Sequence, residues 1–379
     1  MSSKPRLLIL SFTDARRDPR EYKQAFFLRD AYDVTVAALG DPGIEGVKFI
    51  PIAHVPAKNV FERIWRAGNL LLGNSGPFLS RFALKDKRIL ESCNFDVVIS
   101  HDEEPFALAF AFAKGNPVIF DAHEYYPLQY EDWFWKVFHR PHVRRLCRDY
   151  IPKCAGMLTV CHGIADKYTD VYGISPVVVH NAPMYQTLSV SEPHKEKIRL
   201  IHHGAANPGR GLKQMIDAMS YLDERFSLDL ILVGNSDYVA KLKKYAYGKG
   251  NIAWLPPVPM PEISAMLNAY DIGVFLVPPS TFNLKHCLPN KLFEFIQARL
   301  AVAIGPSPEM ASLVNKHDIG VVADNFRPQS LASKLNALKA GDIFRFKQNS
   351  DKAAAIYNAE AGVPIIKKVL KDALTLHCS

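Results

Sequence analysis

Short apolar runs recur along the whole chain, most ending in a polar residue and each followed by a stretch with helical spacing. RLLILSF, YDVTVAAL, FDVVISH, NPVIFDAH and MLTVCH lie in the first half. KIRLIHHG, LDLILVG, IAWLPP, DIGVFLV and AVAIG lie in the second. Near-continuous aliphatic runs suit strands buried on both faces, and their alternation with helices predicts parallel sheets wound on both sides, an α/β class. Between the two series, residues 181–197 read NAPMYQTLSVSEPHKEK, polar and without periodicity. A boundary there divides the chain into domains over 1–182 and 183–351. Two doubly wound domains would set the C-terminal ends of their strands facing each other across a cleft, where such folds bind ligands.

Length and composition agree with this division. The chain has 379 residues, enough for two domains of ordinary size, and its 48% hydrophobic and 22% charged residues are those of a globular protein. Its apolar runs are far too short to span a bilayer. The start, MSSKPRLLILSF, lacks a small-residue cleavage site and reads as a first strand rather than a signal peptide. The six cysteines form no CxxC pair, and Pro152 breaks any helix face shared by Cys147, Cys154 and Cys161. Free thiols are therefore expected, not disulfides or a metal site. The net charge of +8 fits an acidic partner: a phosphosugar, an anionic lipid or a nucleic acid.

The most telling stretch is TFNLKHCLPNKLFEFIQARLAVAIG, residues 281–305. A polar loop leads to Pro289 and Asn290 at the start of a helix that carries Lys291 and Glu294 and is followed by a strand. Unpaired N–H groups and the dipole make such a helix start a seat for phosphate. Glu294, one turn in, can accept two hydroxyl hydrogen bonds from a ribose. The same residues also fit an ordinary amphipathic helix.

PNKLFEFIQARLAVAIG resembles the donor-binding segment of retaining glycosyltransferases of the GT-B fold, family 4 in particular. The resemblance covers most of the chain and is strongest over 197–336. It implies two Rossmann-like domains and a last helix, about 352–379, crossing back to the first. In that family two acids bracket this segment: Glu294 matches the ribose-binding one, and His286 stands where the sugar-contacting one is expected. HHGAANPGRGL, residues 202–212, resembles the strand and loop whose cations clamp the diphosphate. Arg210 takes one cation's place, Ala205 stands at the other, and Lys291 is positioned to compensate. Gly204 and Gly234 end strands beside the donor, and Pro257 sits where the family packs a loop against the base.

In the first half, DVVISHDEEP puts His101 at a strand end, where the family has a histidine on the transferred sugar. VIFDAHEYYP repeats the pattern with Asp121, His123 and Glu124, common in one branch of family 4. SFTDARRDPREYKQA resembles the first loop of the same branch, offering Asp14, Arg16 and Arg20 to donor or acceptor. Two basic, aromatic stretches, residues 60–88 and 130–148, mix Trp65, Trp133, Phe134 and Trp135 with arginines and suit contact with an anionic membrane surface. Core aromatics under solvated charges are the alternative.

The expected activity is a hexosyl transfer with retention from a nucleotide sugar, UDP favoured and GDP open, to a lipid-linked or saccharide acceptor. Cell-surface polysaccharide or lipopolysaccharide synthesis on the inner face of a membrane would suit it. No cofactor or metal is expected, since no Asp-x-Asp run lies near the site. A nucleotide-sugar 2-epimerase of the same fold and a non-catalytic binding subunit remain open. Nucleic acid is suggested by charge alone, without a recognised module.

Overall fold

The first sheet is built from β1 (Arg6–Leu10), β2 (Asp33–Ala38), β3 (Lys48–His54), β4 (Phe82–Leu84), β5 (Val97–His101), β6 (Val118–Ala122), β7 (Gly156–Thr159) and β8 (Val177–Val178). Its order is β4-β3-β2-β1-β5-β6-β7-β8, parallel throughout except for β3 with β4. A second sheet holds β9 (Ile198–Ala205), β10 (Phe226–Val233), β11 (Ile252–Leu255), β12 (Ile272–Phe275), β13 (Ala301–Ile304) and β14 (Gly320–Val322). Its order is β11-β10-β9-β12-β13-β14, all parallel. This computed structural model describes residues 4–54, 59, 61, 62, 65, 68, 69, 82–84, 87–194 and 196–378.

Residues Met1–His180 with Gly362–Ser379 form one compact unit and Asn181–Ala361 the other. The apolar runs are strands because both of their faces are covered. Leu7 and Ile9 of β1 join one core cluster, while Leu8 and Leu10 join another on the opposite face. The strand order reverses between β1 and β5 and between β9 and β12, and at such points the connections part and open a crevice at the strand C-termini. His101 ends β5 and Gly204 lies at the end of β9, so both fall on those edges. The strands that the apolar pattern did not reveal lie at or beside sheet edges. β4, β8 and β14 are two or three residues long, and β3 carries Pro51.

The chain end corrects one expectation. A single helix over about 352–379 is not what forms. One helix runs Ala340–Ala354, and a separate one runs Ala359–Cys378. The break is held by side chains. Gln297 Nε2 donates to the carbonyls of Ala354 and Tyr357, and the Asn358 side chain accepts the Ala361 N–H at 2.8 Å, capping the new helix. Residues 352–361 therefore stay with the second unit. From Gly362 onward Ile366, Leu370 and Ala373 enter the core of the first, beside Leu7, Ile119 and Leu158.

Residues 181–194 carry no helix or strand, yet they are tied down along the second unit. The fully buried Arg299 donates from Nη2 to the Gln186 carbonyl at 2.7 Å, and Gln297 Oε1 accepts the Gln186 N–H at 3.0 Å. Lys347, also fully buried, donates to Ser191 Oγ at 2.9 Å, and Asp271 accepts the His194 N–H. Extended backbone that cannot pair in a sheet must find side-chain partners, and these buried polar groups provide them.

Candidate active site

In the second unit, Gly204 has φ +128°, and a Cβ there would overlap Cε and Nζ of Lys291. Only glycine lets this lysine lie across the end of β9. Gly211, at φ +68°, has the same necessity, since a Cβ would run into the Leu276 carbonyl. Pro289 occupies the N-cap position in extended conformation, and the helix runs Asn290–Gln297. Its first N–H groups, those of Asn290 and Lys291, precede any possible intrahelical acceptor. Lys291 Nζ lies 5.7 Å above the Phe275 ring. Burial lowers its pKa first; Glu294 opposes that shift and Arg210 reinforces it. Lys291, Arg210 and Glu294 thus share one electrostatic neighbourhood.

Two histidines that the sequence reading passed over complete this corner. His203 Nε2 is 3.1 Å from Glu294 Oε2, and its ring meets the edge of Phe295 at 5.6 Å. His202 donates from Nδ1 to the Val274 carbonyl at 2.9 Å, and burial, then Lys291, drives its pKa well down. Paired histidines before a strand-end glycine were the available signal. His286 caps the short helix Phe282–Lys285; its ring lies 4.6 Å from Phe282, and its Nδ1 is 3.7 Å from Glu309 Oε1. Gly234, at φ +96°, ends β10, and Pro257 lies exposed just past β11. Both follow the C-terminal ends of their strands.

In the first unit, Asp18 caps the helix Pro19–Leu28 by accepting the Arg20 and Glu21 N–H groups. That helix aims Arg20 and Gln24 inward. Arg20 donates from Nε and Nη2 to both Asp121 oxygens at 2.7–2.9 Å and from Nη1 to the Val179 carbonyl. Arg20 is therefore a buried structural cation, which corrects its assignment to donor or acceptor. Burial alone would raise the Asp121 pKa, but the Arg20 guanidinium and then His101 hold it below the usual carboxylate range.

The proton positions around His101 follow from this network. Gln24 Nε2 donates to Asp121, so Gln24 Oε1 accepts from His101 Nε2 at 3.0 Å. Burial lowers the His101 pKa to about 4, so the ring is neutral and its Nδ1 carries a lone pair. That lone pair accepts the His123 Nε2–H at 3.1 Å. His101 is fully buried, whereas His123 keeps 22% side-chain exposure. The imidazole that meets solvent is His123, and His101 stands behind it.

His101, Asp121 and His123 offer ligand atoms within 4.8 Å of one another. Both Asp121 oxygens already accept from Arg20, so a cation there would have to displace a guanidinium. Of the remaining first-loop candidates, Asp14 accepts the Arg16 N–H and faces Gly40, where a Cβ would strike its carboxylate, while the Arg16 side chain is exposed. Glu124 contributes its carbonyl to the Tyr168 hydroxyl at 3.0 Å. Glu21 was not foreseen. It is 1% exposed, both its oxygens lack a hydrogen-bond partner, and burial, then Asp18, pushes its pKa up to about 8.

The basic stretch 130–148 forms the helices Trp133–Phe138 and Arg140–Tyr150. Trp133 and Phe134 are 72% and 53% exposed, while Trp135 is buried. Lys136, Arg140, Arg144, Arg145 and Arg148 line one concave surface beside them. The stretch 60–88 lies largely outside the described residues; within it, Phe61 and Trp65 are exposed. No described helix is long and apolar enough to cross a membrane.

Comparison with known proteins supplies the family. Residues 25–182 match the model of Glycosyltransferase Family 4, and residues 186–359 that of Glycosyl transferases group 1. Sucrose-phosphate synthase from Thermosynechococcus elongatus superposes with a TM-score of 0.75 at 9% identity, covering 98% of this chain and 100% of that one. HepE from Anabaena, solved with UDP-glucose, gives 0.70 at 15% identity over 97% and 99%. WaaG, a glycosyltransferase of lipopolysaccharide biosynthesis, gives 0.66 at 11% over 95% and 99%. No curated protein matches the sequence significantly.

Proposed function

The chain belongs to the family 4, group 1 glycosyltransferases of GT-B fold, and on that premise we propose that it transfers a hexose from a UDP-sugar to a lipid-linked or saccharide acceptor with retention. The observation that carries this reading is Lys291: a buried cation over Gly204, beside Arg210 and Glu294, at the start of a helix. An ammonium kept from water without a full counter-charge suits an anionic ligand, and a diphosphate is one. Glu294 then meets the ribose and His203 steadies it. HepE, of the same fold, binds UDP-glucose, which supports UDP.

In the reaction, an acceptor hydroxyl oxygen forms a bond to the anomeric carbon while the bond from that carbon to the β-phosphate oxygen breaks. The bonding pair stays on the phosphate, which takes the acceptor's proton on the same face of the sugar. Lys291, Arg210 and the N–H groups of Asn290 and Lys291 stabilise the developing charge without a metal. In the first unit, His123 offers its solvent-facing ring as the candidate contact for the acceptor, and neutral His101 fixes its tautomer. The exposed Trp133 and Phe134, with the neighbouring cations, rest on an anionic membrane, as enzymes of cell-surface polysaccharide synthesis on an inner membrane face would require.

A thermal-shift panel of UDP, GDP and their sugars tests the donor. At about 100 dissociation constants, binding stabilises a fold by roughly 2.7 kcal/mol. A shift confined to uridine ligands and lost in Glu294→Ala and Arg210→Ala is expected; no shift with any nucleotide sugar refutes the reading.

A further inference from the structure

We propose that the groove lined by Lys136, Arg140, Arg144, Arg145 and Arg148 is a specific seat for a lipid-borne phosphate group of two or more negative charges, a phosphomonoester or a diphosphate. This rests on the membrane contact proposed above and goes beyond it. An anionic surface attracts cations whichever group bears the charge, whereas a seat has a donor that only a correctly placed oxygen satisfies. The groove lies in the first unit, on the helices Trp133–Phe138 and Arg140–Tyr150. Its volume is about 390 Å³, inside the range of roughly 300–1,000 Å³ common for small-ligand sites. Pro141 completes the lining, so no acid faces the groove. Two of the five cations meet a carboxylate elsewhere: Lys136 is 3.9 Å from Glu131 and Arg148 is 2.8 Å from Asp149. Both pairs are open to solvent, where such contacts hold a cation weakly. Arg140, Arg144 and Arg145 form no ion pair among the described residues.

Arg140 adds a directional requirement. Its Nε is shielded from solvent and has no hydrogen-bond partner. Burial lowers the Arg140 pKa first, Arg144 reinforces that shift, and Glu131 opposes it. The guanidinium stays charged nonetheless, since arginine does not lose its proton in proteins. A shielded donor without an acceptor destabilises the side chain where it stands. Drawn toward the groove by a phosphate, the guanidinium would give Nε and Nη2 two oxygens in its planar fork. Arg140, Arg144 and Arg148 also repel one another at four-residue spacing. Two or more charges concentrated on one group relieve that repulsion better than single charges scattered over a surface.

The lipid assignment comes from the helix that gives the groove Lys136. Trp133, Phe134 and Val137 on it are 72%, 53% and 37% exposed. Trp133 and Phe134 both pack on Phe138, at 6.2 and 4.7 Å between ring centroids, so the apolar surface is already assembled. Aromatic rings beside cations suit the boundary between acyl chains and head groups. The rings meet the chains, and the groove takes the phosphate.

The test is co-flotation of the full chain with phosphatidylcholine vesicles that carry either phosphatidic acid, a phosphomonoester, or phosphatidylglycerol, a phosphodiester. The two kinds are matched in zeta potential, at about 0.15 M salt to screen long-range attraction. The unaltered protein is expected to bind the phosphatidic acid vesicles at least about fivefold more tightly. Arg140→Lys keeps the charge and removes the Nε–H; it should bring that ratio close to one while phosphatidylglycerol binding changes by less than about twofold. Arg144→Gln, at an exposed position, should weaken binding to phosphatidic acid more than to phosphatidylglycerol. Equal binding of the unaltered protein to both vesicles would overturn the proposal and leave the membrane contact standing. A preference that survives Arg140→Lys in full would overturn it too. Inorganic pyrophosphate binding that falls in Arg140→Lys, without any preference between vesicles, would make the groove a site for a free phosphate compound and overturn the lipid assignment. Binding to neither vesicle would sink the membrane contact and this proposal with it.

Discussion

Glu21 is a buried carboxyl without a hydrogen-bond partner, and its pKa of about 8 makes it a measurable reporter. In the unfolded chain it ionises near the usual glutamate value, so between that value and about 8 the folded state holds one more proton than the unfolded state. Its contribution to stability is complete below the lower value and is lost as pH rises through the upper. Glu21→Gln should therefore gain stability relative to the unaltered protein as pH goes from 5 to 8, read as a growing difference in urea midpoint. The buried Arg20–Asp121 pair behaves differently. Removing one partner strands a charge and costs about 3–5 kcal/mol. Asp121→Asn should accordingly lower the denaturation midpoint far more than an exposed pair such as Arg225–Asp223 does when broken. Gly204→Ala tests the donor corner: its Cβ must displace Lys291, so UDP affinity should fall while the fold stays cooperative. Lys291→Ala should slow transfer by roughly a hundredfold, as expected when one group that stabilises developing charge is removed.

At the scale of elements, two helices carry distinct burdens. Asn290–Gln297 leaves the N–H groups of its first turn without intrahelical acceptors and buries Leu292, Phe293, Phe295 and Ile296, so polar and packing groups alternate on one short helix. Arg140–Tyr150 carries Arg140, Arg144 and Arg148 at four-residue spacing, an arrangement in which like charges repel by a few tenths of a kcal/mol per pair. Against an anionic surface that repulsion becomes attraction. Vesicles with anionic lipid should bind the protein at low salt and release it as salt rises, and Arg140→Glu with Arg144→Glu should abolish co-flotation. Binding to neutral vesicles with equal strength would remove the membrane role of this helix.

Across the whole molecule, the last helix is the clearest case of a distant segment completing a core. Ile366, Leu370 and Ala373 are buried among residues of β1, β6 and β7, more than two hundred positions earlier in the chain. Leu370→Ala should cost about 2–5 kcal/mol in urea unfolding despite its place near the chain end. Because the same mutation lies in the first unit, UDP binding to the second should survive it at temperatures where the protein remains folded.

The sequence by itself determined most of the elements and the placing of Lys291 and Glu294 on one helix. Most apolar runs bounded by polar residues form strands, although FALAFAFA at Phe106–Ala113 forms a helix, and a proline–asparagine start with a lysine and a glutamate at helical spacing places both near one turn. The short edge strands escaped because two or three residues carry no periodicity. The break after Ala354 escaped too, because it depends on Gln297, a residue far back in the chain. Tertiary structure alone decided which polar groups meet. Asp121 takes Arg20 from 101 positions away, Glu294 on its helix takes His203 from β9, and His286 takes Glu309 from the helix Pro308–His317. Each pairing exists because parallel strands bring their C-terminal ends to one edge. Spacing in the sequence fixes neighbours within an element, and only the sheet fixes neighbours between elements.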